Sequence, residues 1–89
     1  MIRMFARHDV ADFARWREQY DAFDTERRGL GVVAEAVYPS ADNETDVTVS
    51  HDFATLEAAK AFVASERLRE IMARAGVAGQ PTVWFTKLG

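Results

Sequence analysis

The chain has no cysteine, so no disulfide can staple it. No cluster of His and Asp suggests a structural metal. There is no basic excess: the formal net charge is −3. A surface that binds phosphate backbones needs such an excess, so no nucleic-acid partner is expected. No apolar run approaches a membrane span, and MIRMFARHDV at the N-terminus has no apolar core of signal-peptide length. Internal repeats, low-complexity tracts, a glycine-rich phosphate loop and a Ser-x-Gly elbow are also missing. These absences describe a cytoplasmic, soluble protein that needs neither membrane nor metal. With 89 residues, residues 1–89 form one domain. A chain of that size buries only roughly 60–65% of its unfolded surface, and self-association is the support that remains open to it.

What is present centres on RHDVADFARWREQYDAF, Arg7 to Phe23. Phe13, Trp16, Tyr20 and Phe23 are spaced three, four and three apart, which places four rings on one stripe of an α-helix. Before it, Met1 to His8 alternates as a strand. Asp9 or Asp12 caps the helix, which runs to about Arg28 and stops at Gly29 or Gly31. Gly31 to Tyr38 is a second strand, Pro39 to Thr45 a turn, and Asp46 to Phe53 a third strand. Thr55 caps a second helix. Its apolar faces, Leu56-Ala59-Phe62-Val63 and Leu68-Ile71-Met72-Ala75, are out of phase by a five-residue step. Ser65 lies in that step, which predicts a kink or two short helices. Gly76 ends the helix, Gly79-Gln80-Pro81 forms a loop, and Thr82 to Leu88 is the last strand.

The order βαββαβ predicts an α+β, ferredoxin-like fold: a four-stranded antiparallel sheet with both helices on one face. The first and third strands are expected to be central, adjacent and parallel. The other sheet face, roughly 400–450 Å², is then bare. It is expected to carry Phe5 with Trp84 or Phe85, and a polar network of Arg3, Arg7 and Asp52. A second copy covering it sheet on sheet makes a homodimer.

Three segments carry a family resemblance. A strand leading into His-x-Val-x-Asp-aromatic-x-x-Trp is present as RHDVADFARW, and Ala-Gly-Val-x-Gly-x-Pro before an aromatic strand is present as AGVAGQPTVWF. Between them lies TLEAAKAFVASERLREIMARAG. Together they resemble the dimeric α/β-barrel superfamily, and within it the antibiotic biosynthesis monooxygenase-like proteins. The resemblance implies a pocket between helices and sheet that oxidises aromatic or polyketide-like molecules without a cofactor. Relatives that cyclise polyketides, isomerise lactones or degrade haem broaden the implied chemistry. The only asparagine is Asn43, in the turn, so the Asn-containing haem-degrading constellation is not matched. No His lies on either helix to ligate haem.

Parallel central strands would bring their C-terminal ends, His8 and His51, together, with Phe13 and Trp16 on the helix that starts there. Phe53 would follow, and Val83 and Trp84 would begin beside Arg7 and His8. If the more apolar sides of these strands face the helices, both imidazoles do too. Two histidines near neutrality can exchange protons with a phenol or enol. His51 is the first acid–base candidate and His8 the second; Phe13, Trp16, Phe53 and Trp84 shape the substrate pocket. The plainer readings are solvated strand-end histidines, a helix stripe that is core packing, a Trp84 that belongs to the dimer interface, and a Glu35 at solvent or the dimer axis. They correspond to a second function, a non-catalytic homodimer that binds small ligands or serves in stress. A polyketide cyclase or isomerase is a further alternative.

Overall fold

A computed structural model describes residues 1–89. The elements are β1 (Ile2–Val10), α1 (Phe13–Ala22), α2 (Asp24–Gly29), β2 (Ala34–Ser40), β3 (Asn43–Phe53), α3 (Leu56–Val63), α4 (Glu66–Arg74) and β4 (Val77–Lys87). The sheet order is β2-β3-β1-β4 and every neighbouring pair is antiparallel. This is the predicted α+β, ferredoxin-like arrangement.

One topological expectation is overturned. β1 and β3 are central and adjacent, but antiparallel. The helical crossover returns β2 parallel to β1 and leaves a gap between them. The hairpin then folds β3 back into that gap, so β3 opposes both. His51 therefore lies across from Met4, and His8 across from Val47. The two histidines share a face but are not at one end; four residues of strand separate them, roughly 14 Å of backbone.

Local signals set most element ends. Asp12, not Asp9, caps α1, its Oδ1 accepting from Ala14 N at 3.0 Å, because Asp9 is still in β1. The first helical stretch is broken at Phe23, whose N–H is shared between the Gln19 and Tyr20 carbonyls, both at 3.2 Å. That tightened turn starts α2. Thr55 caps α3 and Ser65 caps α4, so the out-of-phase apolar faces do become two helices. Gly31, at φ 102, makes the left-handed stop.

The strands run longer than expected. The hairpin turn contracts to Ala41-Asp42, and β4 begins at Val77. Gly79-Gln80-Pro81 is therefore strand rather than loop. β1 continues to Val10 and offers its edge to Val77 and Ala78, and the register shifts between Arg7 and Asp9. Gly79, at φ 69, allows the backbone to follow. Pro81 is accommodated because β4 is an edge strand.

Met4, Ala6, Val10, Val47, Val49 and Phe53 of the central strands pack under Trp16, Tyr20, Ala59 and Phe62 of the helices. On the opposite sheet face Phe5 and Trp84 stack with ring centroids 5.4 Å apart. Arg3 grips Asp52 at 2.7 and 3.0 Å, while Arg7 takes Asp46, not Asp52, at 2.9 and 2.6 Å. Phe85 pairs with Met4 and so belongs to the helix side. Glu35 pairs with His51 and likewise faces the helices, not solvent, where Arg28 Nη2 donates to its Oε1 at 2.9 Å. No helix is long and apolar enough to cross a membrane.

Candidate functional site

A cavity of about 520 Å³ lies between sheet and helices. Its floor includes Met4, Ala6 and His8 of β1, Val49 and His51 of β3, and Val83 of β4. Trp16 and Tyr20 of α1, Phe62 of α3, and Leu68, Ile71 and Met72 of α4 form its walls and roof. The space exists because α4 does not settle on the sheet. None of its residues is buried, and its apolar Leu68, Ile71 and Met72 are only half-buried. After the fresh start at Ser65 the apolar stripe of α4 lines the cavity, half-exposed, instead of closing on the strands.

His51 is 4% exposed. Its Nε2 shares a hydrogen bond of 2.9 Å with Tyr20 Oη, the direction being set by the ring's tautomer. Phe62 meets the imidazole edge-on at 5.2 Å. Burial, aided by the positive charge of Arg27, pushes the His51 pKa down to about 3. Burial also raises the Tyr20 phenol to about 12. Both partners are therefore neutral at physiological pH.

Arg27 backs this pair. It is 2% exposed, and its guanidinium lies 3.8 Å from the Tyr20 ring centroid. Its Nη1 donates to the Tyr20 carbonyl at 2.7 Å and its Nη2 to Asp24 at 3.2 Å, with Glu35 Oε1 at 4.0 Å. His8 differs from His51. It is buried beside Trp16, ring centroids 5.5 Å apart, and neither of its ring nitrogens has a protein partner. Burial lowers its pKa too, against the opposing charges of Asp9 and Asp46. Neutral His8 thus presents a free lone pair in a cavity where desolvated polar groups interact strongly.

Three of the six sequence-predicted site residues, His8, His51 and Trp16, line the cavity. The other three do not. Phe13 packs outside Trp16 at 5.9 Å and is only partly buried. Phe53 is fully buried against Phe62 and fills core volume. Trp84 pairs with Phe5 of β1 rather than with Arg7 or His8, and stacks on the Phe5 ring on the opposite sheet face. Tyr20 gains weight that its place in the ring stripe could only hint at. Arg27 reads in sequence as a charge favouring the helix end, and nothing in its neighbours marks it as buried.

In sequence, the chain matches no family model and no curated protein. Its shape does find relatives. A structure described as an antibiotic biosynthesis monooxygenase superposes with a TM-score of 0.76 at 12% identity, covering 100% of this chain and 99% of the other. The fold is that of the antibiotic biosynthesis monooxygenases. SnoaB from Streptomyces nogalater, described as a cofactor-independent oxygenase, gives a TM-score of 0.80 at 9% identity, over 99% of this chain and 92% of its own. A conserved protein from Methanosarcina mazei Go1 gives 0.75 at 14% identity, over 97% and 90%.

Proposed function

We propose that the protein is a homodimeric enzyme that oxidises a flat aromatic or polyketide-like molecule in the helix–sheet cavity, using no bound cofactor. The observation that carries this reading is an apolar cavity of about 520 Å³ with two uncharged histidines in its floor. That volume suits a ligand of a few fused rings. The shared fold with SnoaB gives the oxygenase reading its direction.

The roles divide by hydrogen bonding. His8, with no protein partner, accepts a proton from a phenolic or enolic substrate, so it takes precedence over His51 as the base. The Tyr20–His51 pair orients the far end of the ring system through the hydrogen-bonding capacity it has left. The substrate anion then reduces dioxygen. A ring methylene becomes a carbonyl, one oxygen atom enters the product, and the other leaves as water. The bare sheet face, which carries the Phe5–Trp84 stack toward its β4 edge, closes against a second copy.

A second reading, a binding protein without chemistry, is favoured by one feature: Tyr20 already occupies Nε2 of His51. The two separate experimentally. In a Trp84→Phe background the remaining tryptophan, Trp16, reports on the cavity. Saturable quenching by polycyclic phenols, with oxygen consumption that disappears in His8→Ala, supports the enzyme. Quenching without oxygen consumption supports the binder. Neither signal from any planar phenol would sink both.

A further inference from the structure

The cavity's charge is unlike that of the chain around it. Acidic residues outnumber Lys and Arg by 14 to 11, yet no Asp or Glu lines the cavity. Its two lining cations are Arg27 and Arg69. Arg27 is committed to Tyr20 and Asp24. Arg69 has no carboxylate within ion-pairing distance, whereas Arg3, Arg7, Arg17, Arg28 and Arg67 all do. Arg69 is also exposed, as are Ala73 of α4 and Gly79 and Gln80 of β4, and these exposed lining residues mark the opening. A free guanidinium thus stands at the entrance of an apolar space with no fixed negative charge.

We propose that the ligand of this cavity is an aromatic acid. Its anionic group, a carboxylate, rests on Arg69 at the mouth, and its rings extend inward over Trp16 toward the histidines. This rests on the ligand-binding reading above and narrows it to a substrate class. The planar fork of arginine suits a carboxylate, and an apolar wall behind the pair limits competition from water. A neutral molecule of the same shape gains the same ring burial but leaves Arg69 unused.

Calorimetric titration at neutral pH with a hydroxynaphthoic acid and the corresponding naphthol tests this. The pair differs only by the ionised carboxylate. The wild type should bind the acid roughly five- to tenfold more tightly than the naphthol, an advantage that shrinks as salt is raised. Arg69→Gln should erase that preference and leave naphthol binding unchanged. Arg15→Gln, at an exposed α1 arginine that neither lines the cavity nor forms an ion pair, should keep it. Equal wild-type affinities for both probes, or a preference that survives Arg69→Gln, would overturn the inference while the cavity remains a binding site. If neither probe binds, the ligand-binding reading falls and this one with it.

Discussion

Replacing His51 by Gln should remove a large part of this protein's sensitivity to mild acid. In the folded state the His51 pKa is about 3, against 6.5 for an unperturbed histidine. At pH 7.5 both folded and unfolded chains carry a neutral His51, and it makes no pH-dependent contribution. At pH 5.0 the unfolded chain binds a proton there and the folded chain does not. Unfolding therefore takes up a proton, and stability falls as pH drops below 6.5. Over 1.5 pH units the loss is about 2 kcal/mol. His8, lowered in the same direction, adds to it. Glu26, Asp46 and Asp52 are held below their ordinary values by Arg67, Arg7 and Arg3. Their contribution is present above those values and is lost only at lower pH, outside this window. With a urea slope of about 1–2 kcal/mol/M for a domain this small, the His51 share lowers the midpoint by roughly 1–2 M. Urea unfolding at both pH values, at one protein concentration, measures it in wild type and His51→Gln. The variant should keep only the smaller drop due to His8. An equal drop in the two proteins, or a His51 ring resonance titrating near 6.5 in the folded protein, would refute the reasoning.

Three further outcomes follow from the structure. Ser65→Ala removes the side chain that starts α4 and should cost about 1 kcal/mol; because α4 roofs the cavity, aromatic ligands should also bind more weakly, and unchanged urea midpoint and affinity would count against the cap's role. Gly31→Ala should cost about 1–2 kcal/mol in unfolding experiments, from backbone strain at φ 102 alone. The added methyl would meet Phe53 and Ala58 only at ordinary distances of 3.7 and 3.8 Å, so a neutral result would mean that the turn relaxes freely. Trp84→Glu places a charge on the stacked sheet face; if that face is the proposed dimer contact, light scattering should report two copies of the 10.0 kDa chain for the wild type and one for the variant, and a single-copy wild type or a two-copy variant would refute that contact.

Period and capping chemistry in the chain were enough for the βαββαβ order, for the caps Thr55 and Ser65, and for the helix break between them. These depend on neighbours a few residues apart, whose spacing is written in the sequence. Strand alternation put His8 and His51 on the more apolar sides of their strands for the same reason; that those sides face the helices is decided by the packing. What the sequence could not supply was register and depth. The direction of β3 does follow from the order, since a hairpin after a parallel crossover must run against β1; the expectation of parallel strands missed this and brought together two histidines that stand apart. Register across strands put Trp84 on the far face and Glu35 on the near one, because side-chain parity belongs to a pairing and not to a segment. The Tyr20–His51 bond joins residues 31 apart, and Arg27 becomes a buried support only once α2 carries it against the Tyr20 ring. Local periodicity determines which residues of a segment share a face; only the packed layers decide which face turns inward and which residues touch.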